Sequence, residues 1–215
     1  MHVLVTGFGP FPGVPRNPSA RLARSLAADA RLRRVGIDAT ALVLPTTYDA
    51  IAREFLPALG APGLRLVLML GVAARRRALC IETRAINRAS RLMPDASGHA
   101  GAHLALEPGG PAARSCPLAA IPLLRRLRGV PARLSRDAGR YLCNAAWFAA
   151  LGHRPGPRRD ASPLAIFVHV PLPERPGRPM LAAMHAALLP LLIEAARQIR
   201  AAQAVSHQAS APAGR

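Results

Sequence analysis

Apolar runs of strand length alternate along the chain with stretches of helical spacing. The first, Val3-Leu4-Val5 within Met1 to Thr6, reads as a buried strand entering the loop Gly7-Phe8-Gly9-Pro10-Phe11-Pro12-Gly13. Asn17-Pro18-Ser19 puts a capping side chain just before a proline in the first turn, which predicts a helix to about Asp29. Asp38 to Pro45 alternates as a second strand, and Tyr48 to Leu59 has helical apolar spacing. Leu64 to Gly71 is apolar nearly throughout, as a strand at the centre of a parallel sheet should be. Ala78 to Ile86 reads as another strand or extended segment. Residues 87–116 are rich in Gly, Pro, Ser and Ala without a clear period, a long excursion of the kind that often carries function. Pro117 to Arg128 predicts a short helix, Ala132 to Ser135 a short strand, Asn144 to Leu151 a helix, Leu164 to Val170 a strand and Met180 to Ala202 a final helix.

This alternation predicts a three-layer α/β/α sandwich with a mixed, mostly parallel central sheet, formed by residues 1–202 as one domain. Gln203 to Arg215, polar and small, is expected to be a disordered tail. No apolar run of about 18 residues predicts a membrane span. Met1 leads straight into the first strand without the basic and apolar regions of a secretory signal, so the expected compartment is the cytoplasm.

Composition changes this picture in two places. The 215 residues are 51% hydrophobic and carry a formal charge of +18, and every basic residue is Arg. A charge of that size raises nucleic acid as a partner. The arginines, however, are scattered apart from groups such as Arg75 to Arg77, and aromatics make up only 4% and do not interleave with them as stacking platforms would. Salt-sensitive adhesion to polyanions is expected, and specific nucleic-acid recognition is not. The three cysteines include no Cys-x-x-Cys pair, which points to a reducing compartment and one reactive thiol rather than a disulfide framework.

Three residues have the chemistry of a nucleophilic site. Cys143 follows Gly139-Arg140-Tyr141-Leu142 and precedes the helix predicted from Asn144. A thiol at a helix N-terminus gains from the partial positive charge there, and the free N–H groups suit an oxyanion. Read locally, a buried packing cysteine fits as well. His169, at the end of the strand Ile166-Phe167-Val168-His169-Val170, stands where sites gather in open α/β sheets and is a natural base for a thiol. A hydrogen-bonded core histidine is the alternative. Glu82, inside Cys80-Ile81-Glu82-Thr83-Arg84, needs a partner if buried, either a histidine to orient or an arginine such as Arg84.

Together with their flanks, these residues make a longer pattern. Gly7-Phe8-Gly9-Pro10-Phe11 with Asn17-Pro18-Ser19, then Glu82-Thr83-Arg84-Ala85-Ile86-Asn87, then Tyr141-Leu142-Cys143-Asn144, then Phe167-Val168-His169-Val170-Pro171 resembles the pyroglutamyl-peptidase I family of cysteine peptidases in order and spacing, from residue 1 to about 200. The resemblance implies an α/β sandwich, usually a homotetramer, that removes N-terminal pyroglutamate from small peptides without metal or cofactor. It implies Cys143 as nucleophile, His169 as base and Glu82 as the carboxylate orienting the histidine. Phe8 and Phe11 match residues that enclose the pyroglutamyl ring. Asn17 and Gly71 fall in the loops of the substrate site, Asn17 as structural support. An active-site arginine is also implied, and Arg91, one place early before Leu92-Met93-Pro94-Asp95, is the candidate. The chain departs from the family at Arg136-Asp137-Ala138-Gly139, where Asn-Thr is common, and at Val72-Ala73-Ala74-Arg75, where further Gly is usual. The second reading is a family member without turnover that binds N-terminally blocked peptides or polyanions.

Other motifs fail on their own chemistry. Gly7-x-Gly9 follows a strand, but Pro10 and Pro12 remove N–H groups a pyrophosphate would need. Without lysine there is no ordinary P-loop, and no Gly-x-Ser-x-Gly elbow is present. His99 and His103 have the i, i+4 spacing of helical metal ligands, but Gly98 and Gly101 argue against a helix, so no metal is expected. Cys80 and Cys116 read as packing residues, and His153, His185 and His207 as surface residues.

Overall fold

The computed structural model describes residues 1–100, 103–154, 162–172 and 178–209. The strands, in chain order, are β1 (His2–Phe8), β2 (Asp38–Leu44), β3 (Leu64–Val72), β4 (Leu79–Glu82), β5 (Arg84–Ile86), β6 (Ala113–Ser115), β7 (Ala132–Ser135) and β8 (Leu164–Val170). Six of them form the central sheet in the order β2-β1-β3-β8-β4-β7. The first four run parallel, β4 is antiparallel to β8, and β7 is parallel to β4. The helices are α1 (Pro18–Ala27), α2 (Ala30–Arg34), α3 (Tyr48–Ala50), α4 (Leu56–Leu59), α5 (Ala120–Leu124), α6 (Leu142–Gly152) and α7 (Arg178–Ala209).

Because side chains alternate across a strand, the sheet builds a core on each face. Val3 and Val5 of β1, Leu66 and Leu68 of β3 and Ile166 and Val168 of β8 pack with Leu22 and Leu26 of α1 and Leu188 and Leu192 of α7. Leu4, Val67, Met69 and Phe167 face the other way, against Phe55, Leu59 and the α6 residues Ala146 and Trp147. The expected α/β/α layering and mostly parallel sheet are therefore present, and the opposite faces carry different helices.

Four local expectations change. Ala78 to Ile86 is not one strand: it breaks at Thr83, whose N–H and hydroxyl both donate to the Ser135 carbonyl while its own carbonyl accepts from Cys116. Glu82 thus stays in the main sheet, and β5 leaves to pair antiparallel with β6, a strand inside the stretch expected to be irregular. The helix expected over Tyr48 to Leu59 contains a π turn, Ile51–Phe55, closed by Leu56 N–H on the Ile51 carbonyl. Pro57, which has no N–H to give to Arg53, follows directly. The helix expected over Pro117 to Arg128 is regular only in α5, which contains Pro122.

At the C-terminus α7 continues to Ala209, so residues 203–209 are helical rather than part of a disordered tail, and 210–215 lie outside the described residues. Met180–Val205 is apolar and long enough to cross a membrane, which inspection of apolar runs missed because Glu194, Arg197 and Arg200 interrupt the stretch. One side of it, including Met184, Leu188, Leu192 and Ile199, is buried in the core described above, as in a core helix of a globular domain. His185 is half-buried rather than on the surface, bridging Ser25 and Asp29 at the α1–α2 junction.

Candidate active site

The parallel strands bring their C-terminal ends to one edge of the sheet, and the chemistry gathers there. Phe167 and His169 on β8 and Cys80 and Glu82 on β4 alternate onto the same face, Cys80 lying opposite His169 and Glu82 opposite Phe167. That diagonal lets Glu82 Oε1 meet His169 Nδ1 at 2.7 Å, with Glu82 fully buried and His169 4% exposed. A carboxylate oxygen accepts, so His169 Nδ1 carries the hydrogen of this bond. The Phe167 ring lies 4.8 Å from the imidazole, centroid to centroid, tilted by 54° to it.

Cys143 enters from above this face as the second residue of α6. It is half-buried and, with His169, lines a cavity of 460 Å³. Gly71, in register with His169, makes this possible: a Cβ there would lie 2.6 Å from the Cys143 Sγ and 2.7 Å from the Phe167 ring. Gly71 is thus the floor under the thiol rather than part of the cavity wall. Asn144, the next residue, holds the helix start in place. Its buried amide accepts from Ile86 N–H at 2.9 Å and donates to the Ile86 and Arg88 carbonyls.

The helix N-terminus was expected to favour the Cys143 thiolate. In the structure, burial pushes the thiol up to about 12, the Glu82 charge adds to this, and the residue's own N–H and the Arg76 guanidinium oppose it. Desolvation outweighs the helix end here. Burial thus favours the neutral thiol over the thiolate.

At the other end of the cavity stand Phe8, Phe11, Asn17 and Thr46. Phe8 is almost wholly buried, so only part of it reaches the space, whereas Phe11 is half-exposed to it. Asn17 caps α1 by accepting from Ser19 N–H and holds the loop by donating to the Gly9 carbonyl at 2.9 Å. Ser19 Oγ accepts from Phe8 N–H at 3.0 Å, and Thr46 donates to the Gly9 and Pro10 carbonyls. Asn17 therefore supports the loop and also borders the cavity.

Arg91 is exposed and does not line this cavity; Met93, two residues on, does. Arg75 and Arg76 line the cavity instead, and Arg76, which sequence reasoning passed over, bonds the catalytic-site carboxylate. Its Nη1 donates to the same Glu82 oxygen that holds His169, at 2.5 Å, and its Nη2 to the Asp137 carbonyl. A buried glutamate calls for a cation, and the Arg75 to Arg77 group six residues before Glu82 was the available signal. His99 and His103 border a separate cavity with Asp95, in irregular chain rather than on a helix, and His99 Nδ1 bonds Ser97 Oγ. Cys80 is buried on β4, and burial raises the Cys116 thiol.

A mostly parallel α/β sheet carrying a Cys, His and Glu at its C-terminal edge defines a class of candidate thiol hydrolases. Comparison with known proteins narrows it. The pattern of the pyroglutamyl peptidase family matches residues 1–192, and the chain belongs to that family. The pyrrolidone-carboxylate peptidase of Gloeobacter violaceus is 37% identical over 183 residues, 83% of this chain and 85% of that protein. The Pyrococcus furiosus protein of the same name is 31% identical over 178 residues, 81% and 83%. Among solved structures, pyrrolidone carboxyl peptidase from Thermus thermophilus superposes with a TM-score of 0.75 at 34% identity, covering 88% of this chain and 98% of that one. Pyroglutamyl peptidase I from Bacillus amyloliquefaciens gives 0.78 at 25% identity, covering 92% and 98%.

Proposed function

We propose that this protein is a cysteine peptidase of the pyroglutamyl-peptidase I type, hydrolysing the amide bond after an N-terminal pyroglutamyl residue of small peptides. The observation that carries the reading is the His169–Glu82 hydrogen bond of 2.7 Å beside a cavity that Cys143 also lines, in a chain whose relatives bear that enzyme's name.

In this reading, Glu82 keeps the hydrogen on His169 Nδ1, and Nε2 takes the thiol proton as Sγ attacks the carbonyl carbon joining the ring to the next residue. A carbon–sulfur bond forms, and the carbonyl electrons move onto oxygen. The N–H groups at the start of α6 that no helix carbonyl accepts from stabilise that oxyanion, each by about 3 kcal/mol. The tetrahedral species collapses, the carbon–nitrogen bond breaks, and His169 returns its proton to the departing amine. Water then gives a proton to His169 and attacks the thioester, releasing pyroglutamate and the free thiol. Since burial holds the thiol neutral, proton transfer accompanies attack instead of preceding it. No metal or cofactor is required. Phe8 and Phe11 suit a small uncharged lactam. The four residues named at that end include no carboxylate to hold an ordinary α-ammonium group.

The catalytic unit in this reading is the single domain of residues 1–202, working in the cytoplasm as a homotetramer. The three free cysteines suit a reducing compartment. Sedimentation tests the assembly. Release of aminomethylcoumarin from its pyroglutamyl but not its prolyl conjugate, lost in Cys143→Ser, tests the activity. No release by folded, reduced protein would sink it.

A further inference from the structure

Beside the catalytic cavity lies a second, of 630 Å³, and the two share Met93, Asp137, Gly139 and Tyr141 on their walls. The second is lined by Arg84, Arg136 and Arg140, against the single carboxylate of Asp137. That carboxylate is already engaged, accepting from Gly139 N–H at 2.9 Å. The Arg84 Nε is buried and has no hydrogen-bond partner, an uncommon and costly state for a guanidinium nitrogen. Buried donors of this kind call for an acceptor, and guanidinium groups fit carboxylates in two-point geometry.

Position decides what that acceptor belongs to. In the sheet order β2-β1-β3-β8-β4-β7, Phe8 ends β1 and Thr46 follows β2, His169 and Glu82 stand on β8 and β4, and the segment after β7 that carries Arg136 and Arg140 is tied to them by Arg76, which bonds both Glu82 and the Asp137 carbonyl. The site thus runs across the sheet from the aromatic end, over the proposed nucleophile and base, to the arginines. A substrate with its ring at the first place and its scissile carbonyl at the second directs its leaving segment toward the third.

We infer that the arginine-lined cavity is a leaving-group subsite for a carboxylate, borne by the residue after pyroglutamate either on its side chain or as its C-terminus. The inference rests on the peptidase reading above. It makes acidic pyroglutamyl dipeptides the preferred substrates, and it makes this preference salt-sensitive, since Arg136 and Arg140 are exposed.

The test measures kcat/KM for pyroglutamyl-glutamate amide against pyroglutamyl-glutamine amide, which isolates the side chain. Pyroglutamyl-alanine against its amide isolates the C-terminus. A charged-to-neutral ratio of about tenfold in at least one pair is expected, the worth of one charge-assisted bond. It should fall toward unity in Arg84→Gln/Arg136→Gln/Arg140→Gln. It should persist in Arg21→Gln/Arg24→Gln/Arg33→Gln, which removes the same charge from exposed positions on α1 and α2. Each ratio is taken within one variant, so a general loss of activity does not mimic the effect. A ratio near one in both wild-type pairs, with the pyroglutamyl coumarin still cleaved, overturns the subsite and leaves the peptidase standing. An equal fall in both triple variants overturns it in favour of net charge. If folded protein cleaves nothing, the peptidase reading fails separately. Calorimetric titration of Cys143→Ser with the same pairs then decides, equal affinities overturning the subsite.

Discussion

The two ends of the catalytic cavity are held by different means. At the aromatic end, Phe8, Gly9, Asn17 and Ser19 lie within 12 consecutive residues, and short-range bonds among them set the loop. Gly7 approaches the Ser19 backbone so closely that a Cβ would collide with its carbonyl. At the catalytic end, the end of β3, the turn after it, β4, β8 and the start of α6 meet from positions up to 98 residues apart, Gly71 to His169. They are joined by one buried glutamate that serves both His169 and Arg76. A locally closed loop tolerates the loss of one bond. A single carboxylate shared by two partners does not.

That contrast can be tested in order of expected effect. Glu82→Gln removes the charge that keeps His169 oriented, and kcat for the pyroglutamyl coumarin should fall about 10³-fold or more. A loss below about tenfold would mean that Glu82 only packs. Phe8→Ala, deep in the core, should cost about 3–5 kcal/mol in urea unfolding. Phe11→Ala, at the same end but half-exposed, should raise KM with a stability change below about 1 kcal/mol. Gly71→Ala pushes on the thiol and should cut kcat/KM about 10²-fold. Loss of folding without loss of specific activity would contradict that placement. Burial holds the Cys143 proton more tightly than in a free thiol, so the reactive thiolate fraction grows with pH. Iodoacetamide inactivation of His169→Ala should accordingly climb about tenfold per pH unit from 7 to 10, and a plateau near pH 8 would contradict it. The smallest effect belongs to Asn17→Ala, about 1 kcal/mol for a lost cap, read by thermal unfolding.

The same contrast explains what the sequence made legible. The strands β1, β3 and β8 are continuous apolar runs whose burial is evident from composition, and Asn17-Pro18 announces its helix through local capping chemistry. Glu82, Cys143 and His169 stand out as a set because their flanks form a pattern, although each alone fits a core residue. Arg76 was missed because its role depends on the Asp137 carbonyl and on Glu82, a meeting that no local period encodes. Arg91 was favoured because it is next to the expected motif, yet it lies outside the cavity. The break at Thr83 depends on the Ser135 carbonyl 52 residues away. The tightness of the Cys143 proton follows from burial, which a helix-end argument omits.

The proposed reaction turns on Cys143 as the nucleophile. Protein quenched in acid during turnover of the pyroglutamyl coumarin, digested and mapped by mass spectrometry, tests it most directly. A Cys143 nucleophile predicts a pyroglutamyl group on the peptide carrying that residue. Turnover at full rate with that group on Cys80 or Cys116, or on no cysteine, would contradict it.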